Sequence, residues 1–304
     1  MKQHPLAYLF ILNLLVLIAC NDQPDISEMH AISKGDNNIL ILMYHDIVDP
    51  NNAPAGLATV ADDVTLQNFQ KQLDWLQANG YQTISAYDLY NLRANNRRSA
   101  QKQVLITFDD NYYGAYEYAV PELEKRGMKA TFFAHTQYVR PEGIVPDYAG
   151  LRPKASWAEM VAVETTRGKG NLFRYESHTV THRNLTKLGS AELRQELCAS
   201  KRDIERNFAR ILGSGRYRGL TLGNRHINAE GDKLVRHIAY PVGGYNGTVG
   251  SLSKECGYFL GYEVGFAEDF ELSSMALPRL GVGRSLATVS DFQEAVANYV
   301  RQVR

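Results

Sequence analysis

The chain has 304 residues, enough for one large domain or two ordinary ones, and 44% are hydrophobic against 22% charged, so it buries a core and is not broadly disordered. Lys plus Arg is 33 and Asp plus Glu is 33, and this zero net charge argues against a protein that grips nucleic acid or another anionic surface through a basic excess. Three cysteines are too few for a disulfide scaffold and lack metal-finger spacing, which leaves an enzyme or a ligand binder.

At the start, Lys2 precedes an apolar stretch over residues 6–19, broken only by Asn13. That is the length of a signal-peptide core and short for a membrane span. The stretch ends Leu17-Ile18-Ala19-Cys20, which resembles the bacterial lipobox, where the cysteine is lipidated and becomes the new N-terminus. Residues 1–19 are therefore expected to be a lipoprotein signal, 20–37 a polar tether, and 38–304 the folded domain. The expectation is an exported chain, anchored through lipid on Cys20 to a bacterial membrane, facing the periplasm or the cell surface. Cys198 and Cys256 then remain; an exported compartment permits a disulfide, and sequence leaves that pairing and two separate thiols equally open.

From residue 39 onward, apolar runs alternate with helical periods. Residues 39–43 read as a buried strand, and 66–78 as a helix stopped by Asn79-Gly80. A strand at 81–84, a helix at 86–93 and a strongly apolar strand at 104–108 follow. A helix interrupted near Pro121 ends at Gly127, before a strand at 130–134. Residues 141–170 read as loop with a helix at 157–163, and 172–176 as strand. A long amphipathic helix is expected at 191–212 and a Gly- and Arg-rich loop at 213–231. Strands at 234–240 and 258–264 flank a helix at 248–256, and 289–303 closes the chain as a helix. This alternation predicts an α/β fold, a (β/α) barrel of about seven parallel strands with its site at their C-terminal ends.

Four of those ends carry reactive residues: Tyr44-His45-Asp46, Asp109-Asp110, Ser177-His178-Thr179-Val180-Thr181-His182, and Pro241-Val242-Gly243-Gly244-Tyr245. Adjacent carboxylates after a buried strand are costly unless something positive neutralises them. Two histidines at i and i+4 supply neutral ligands, and one Asp with two His makes a three-ligand metal site with a position open for water. It is not the zincin motif, because no Glu follows His178.

Thr107-Phe108-Asp109-Asp110 and Ser177-His178-Thr179-Val180-Thr181-His182-Arg183-Asn184-Leu185 resemble the first two motifs of the polysaccharide deacetylases, carbohydrate esterase family 4 or NodB-homology domain. Gly127-Met128-Lys129-Ala130-Thr131-Phe132-Phe133, Ala239-Tyr240-Pro241 and Leu277-Pro278-Arg279-Leu280 follow the same pattern, over roughly residues 39–300. Met43-Tyr44-His45-Asp46-Ile47 resembles the poly-N-acetylglucosamine deacetylases of biofilm systems, a circularly permuted branch. The resemblance implies a distorted barrel and metal-dependent removal of acetyl groups from a glycan. By it Asp110, His178 and His182 are metal ligands, for zinc or else cobalt, nickel or iron. Asp109 is the general base, His45 the general acid, and the Val242 N–H an oxyanion donor. Tyr112, Tyr113, Tyr245 and Trp157 are candidates to stack on sugar rings.

Departures are visible. Asn111 stands where the family usually has Gly, Ala239 where many members have Arg, and no Leu-x-His occurs near the C-terminus. Arg279 is the candidate to orient the base instead, with a surface cation as the alternative, and His135 is the fallback acid. The expected partners are an acetylated polysaccharide and a membrane, with no nucleic acid, and the expected state is a monomer. Alternatives are an O-acetyl esterase on a polysaccharide such as acetylated xylan, and a catalytically impaired glycan binder.

Overall fold

The structure is a computed structural model and describes residues 39–52, 62–95, 97, 99–146, 152–167, 172–214, 233–265 and 274–303. The expected signal, tether and lipidated Cys20, and most of the 213–231 loop, lie outside these residues. No helix among the described residues is long and apolar enough to cross a membrane.

In chain order the strands are β1 (Ile39–Tyr44), β2 (Ile47–Val48), β3 (Val64–Thr65), β4 (Gln82–Ile84), β5 (Gln103–Phe108), β6 (Ala130–Ala134), β7 (Phe173–Ser177), β8 (His237–Ala239), β9 (Leu260–Tyr262) and β10 (Leu280–Gly281). The helices are α1 (Leu66–Ala78), α2 (Ala86–Ala94), α3 (Val120–Arg126), α4 (Trp157–Ala162), α5 (Ser190–Arg194), α6 (Ser200–Leu212), α7 (Gly247–Glu255) and α8 (Val289–Val303). Seven strands run in the order β10-β1-β5-β6-β7-β8-β9 as a curled half-barrel, with β4 as a side branch on β5. Every pairing in this sheet is parallel. An isolated bridge from Tyr262 to Leu277 links the β9 edge to the segment that leads into β10.

Strand alternation sorts the core into two layers. Tyr44, Phe108, Phe132 and Tyr175 point outward from four neighbouring strands and stack in a ladder, with ring centroids 5.4, 5.0 and 5.1 Å apart. Helices cover this ladder; Phe69, Leu73 and Leu76 form the buried face of α1, which Thr65 caps by accepting from the Asn68 amide. A smaller cluster around Ile41, Leu105, Phe133, Ala239 and Tyr262 fills the concave side.

Two expected elements differ most, and one short pair is added. The strand at 234–240 shrinks to β8, because Glu176 Oε2 accepts from the amides of Arg236 and His237 at 2.8 and 2.9 Å. The helix at 191–212 is interrupted between α5 and α6 by a π-helical turn, Gln195–Ala199. Cys198 in that turn is bonded to Cys256, which caps α7, with Cα atoms 5.1 Å apart. The short β2–β3 pair had no signal in the hydrophobic pattern.

Candidate active site

The register aligns the ends of β1, β5, β6 and β7, so the residues that follow them converge on one rim. Among the described residues, five that are not glycine have positive φ: Asp110, Asn111, Thr179, His182 and Val242. All five lie on this rim. Such backbone costs on the order of 1–3 kcal/mol per residue and persists only where the surroundings enforce it. Here the enforcement is visible. Asn111 Nδ2 donates to the Ala155 carbonyl at 3.0 Å, and the Ala155 amide donates back to the Asn111 carbonyl at 3.0 Å. Asn111 thus holds the turn after the acidic pair where Gly was expected.

Asp109 is 2% exposed and Arg279 is fully buried. Arg279 Nη1 donates to Asp109 Oδ1 at 2.7 Å and Nη2 to Oδ2 at 2.6 Å. Its remaining donors reach Thr107 Oγ1 and the Glu263 carbonyl at 3.2 and 3.1 Å. Burial opposes ionisation of Asp109, but the Arg279 charge, with His178 and His45 behind it, outweighs burial and holds the carboxyl below its ordinary range. Arg279 is therefore no surface cation; the guanidinium missing at Ala239 arrives from the other end of the chain.

Asp110 Oδ1 lies 3.2 Å from His182 Nε2 and 3.4 Å from His178 Nε2, yet this buried oxygen makes a hydrogen bond to neither. His178 Nδ1 is 2.8 Å from the Ala239 carbonyl. A carbonyl only accepts, so the ring proton sits on Nδ1 and the Nε2 lone pair faces the carboxylate. Ligand atoms of Asp110, His178 and His182 all lie within 4.8 Å of one another. An orphaned carboxylate oxygen facing two imidazole Nε2 atoms fits a divalent cation, and this N₂O donor set suits zinc as well as cobalt, nickel or iron. The histidine loop is itself fixed by Glu196, which no sequence signal had marked. Its Oε2 accepts from the amides of Val180 and Thr181, both at 2.9 Å, and Oε1 accepts from the Thr181 hydroxyl.

A cavity of about 290 Å³ gathers His45, Asp109, Asp110, His178, His182 and Val242. His135 follows β6 with Nε2 3.9 Å from Asp110 Oδ1; burial, with the Lys154 charge nearby, pushes it down to about 3, so it is neutral at pH 7. A second cavity of about 950 Å³ adjoins the first and shares Asp110, Tyr112, Arg152 and His182 with it. Of the proposed sugar-stacking residues only Tyr112 lines these cavities. Tyr113 packs against Tyr116 with tilted rings and centroids 5.4 Å apart, Tyr245 packs likewise against Tyr240 at 5.4 Å, and Trp157 opens α4 packed against the core.

Residues 96–228 match the polysaccharide deacetylase family. A Bacillus subtilis protein described as a polysaccharide deacetylase is 27% identical over 221 residues, 73% of this chain; the match spans 62% of that relative's length. A poly-β-1,6-N-acetyl-D-glucosamine N-deacetylase of Staphylococcus epidermidis is 26% identical over 254 residues, 79% of each chain. Among solved structures, a Streptococcus pyogenes deacetylase in complex with acetate shares the fold with a TM-score of 0.64 at 22% identity, covering 88% of this chain and 98% of its own. A de-N-acetylase of Aggregatibacter actinomycetemcomitans reaches 0.63 at 17% identity, covering 84% and 99%. At these identities the structural likeness speaks for the fold.

Proposed function

We propose that the chain is a metal-dependent hydrolase that removes N-acetyl groups from a polysaccharide containing N-acetylglucosamine, exported and tethered to a membrane through lipid on Cys20. The observation that carries this reading is the division of labour between adjacent carboxylates. Asp110 turns an uncommitted oxygen to two imidazoles, while Arg279 keeps Asp109 ionised beside them. A pure glycan binder has no use for a charged base held next to a cation site. The relatives that act on poly-β-1,6-N-acetylglucosamine support the same substrate class.

An amide resists hydrolysis because its carbonyl is a poor electrophile and its amine a poor leaving group. Asp110, His178 and His182 would hold a divalent cation, which would supply Lewis acidity to the acetyl carbonyl and acidity to water. Asp109 accepts the proton of the attacking water, and its bidentate bond to Arg279 fixes which oxygen lone pairs remain to do so. His45 protonates the departing amine, and the Val242 amide, in its left-handed turn at the rim, donates to the developing oxyanion.

The test is acetate release from N-acetylglucosamine oligomers, with and without a chelator. Release that stops on chelation, and falls by about 10²–10⁴-fold in Asp109→Asn, supports the mechanism. No chelator-sensitive release from any acetylated glycan refutes it.

A further inference from the structure

Three cations line the larger cavity beside Asp110: Arg140, Arg152 and Lys154. Two are already matched. Arg140 Nη2 donates to both carboxylate oxygens of Glu159 at 2.6 Å. Arg152 donates to both oxygens of Asp63 and lies 3.5 Å from Asp46. The Lys154 ammonium differs. It sits 3.3 Å from the centre of the Tyr112 ring, and among the described residues no oxygen accepts a hydrogen bond from it. The carboxylates of Asp110 and Asp46 attract it without forming an ion pair. Asp46 is shared with Arg152, and Asp110 is committed to the cation site.

A half-buried ammonium that lines a cavity, with a ring face and no acceptor oxygen of the protein beside it, keeps its hydrogen-bonding capacity for a ligand. Its backbone is nevertheless fixed. Lys154 pairs with Tyr112 in an antiparallel bridge, and its carbonyl accepts from Arg140 Nε at 2.9 Å. The Tyr113 amide donates to the Pro153 carbonyl at 2.9 Å, so the segment is laced to the turn that carries Asp110. The charge thus stands at a set place relative to the reacting centre. The same cavity also has an apolar, open lining: Tyr138, Ile144 and Val145 are 51%, 55% and 78% exposed. Pyranose rings present an apolar C–H face and hang polar substituents around their edge. Exposed apolar side chains in one cavity with an unmatched cation fit such a ring when its edge bears a negative charge.

We propose that Lys154 forms a subsite for an anionic substituent, a carboxylate or a phosphate ester, on a sugar of the bound glycan that neighbours the acetylated one. This rests on the deacetylase reading for the identity of the polymer. It narrows the substrate to acetylated glycans that carry charge, and it sets the polarity of the cleft: the charged sugar lies on the Tyr138–Val145 side of the cation site.

The test compares three oligosaccharides of equal length: a neutral N-acetylglucosamine oligomer, one with a carboxylate on alternate sugars, and one with a phosphate there. Binding is measured by calorimetry on the full chain carrying Asp109→Asn, which blocks turnover, and acetate release is followed on the wild type in parallel. At low ionic strength at least one anionic oligomer binds about 10-fold or more tightly than the neutral one, the scale of a charge-assisted hydrogen bond. The two anionic arms identify the group. The preference shrinks in about 0.5 M salt. Lys154→Gln brings the ratio of affinities near one, and Lys154→Arg keeps most of it. Equal binding of all three oligomers, or a preference that survives Lys154→Gln, overturns the subsite. If Lys154→Gln does not fold, as judged by circular dichroism, the salt series and Lys154→Arg decide. A binding preference without acetate release from any oligomer leaves the subsite standing and overturns the deacetylase reading instead.

Discussion

Replacing Arg279 by Met keeps most of the side-chain volume and removes the only charge bonded to both oxygens of Asp109 among the described residues. Both partners are withdrawn from solvent, so the surviving carboxylate has no water to turn to. Breaking a buried pair from one side costs about 3–5 kcal/mol. The pH dependence follows with a definite sign. In the wild type the folded carboxyl is held below its unfolded value, so the pair stabilises fully above about pH 4 and this stability is lost as pH falls through the lowered value. In Arg279→Met burial is opposed only by His178 and His45 and raises the carboxyl above its unfolded value, so stability falls as pH rises from about 4. Urea unfolding between pH 4 and 8, with chelator present throughout so that cation binding does not enter, measures both effects. The double variant Arg279→Met/Asp109→Asn leaves no stranded charge and recovers at least about 2 kcal/mol of the loss. Additive single effects, or a cost below about 1 kcal/mol for Arg279→Met, refute the account of the pair.

Glu196→Ala strands the amides of Val180 and Thr181 and lowers stability by about 3 kcal/mol; because it frees the loop bearing His182, chelator competition also shows at least about 10-fold weaker cation binding, which Glu196→Gln partly restores. Gly114→Ala places a methyl group against the Ile47 carbonyl oxygen and Asp46 Oδ1, and denaturant unfolding shows a loss of about 1–3 kcal/mol although alanine is the better helix former. Replacing Cys198 and Cys256 together by Ser opens a loop of 58 residues' separation and costs about 4 kcal/mol on the chain-entropy scale, read as a lower unfolding midpoint that reductant reproduces in the wild type.

The alternation of apolar runs was enough to read a parallel sheet, and the polar residues just past those runs were enough to mark Asp110, His178 and His182, which the fold brings together. Both follow from local pattern, since a strand's last inward residue and the loop after it are adjacent in sequence. The rest depended on contacts that pattern does not encode. Arg279 meets Asp109 across 170 residues, and only the fold says whether its guanidinium turns inward. Glu196 looks like any exposed helix glutamate until the π-helical turn carries it to the amides of Val180 and Thr181. Lys154 and Arg152 lie in a loop without periodicity, and their meaning comes from the turn after Asp110 pairing with them. The aromatic candidates fared unevenly for a related reason: Tyr245 and Trp157 find neighbours within the core, and a sequence does not distinguish a ring that packs from one that waits for a ligand.

The cross-link between Cys198 and Cys256 reaches further than the two helices it touches. Cys198 stands two residues past Glu196, which clasps the His182 loop, and Cys256 ends the helix that starts just after the turn bearing Val242. The histidine loop and the Val242 turn are thereby riveted to one frame, and neither swings out without tearing at the other. Among the described residues Tyr138, Ile144 and Val145, on the rim of the larger cavity, carry no covalent link of this kind.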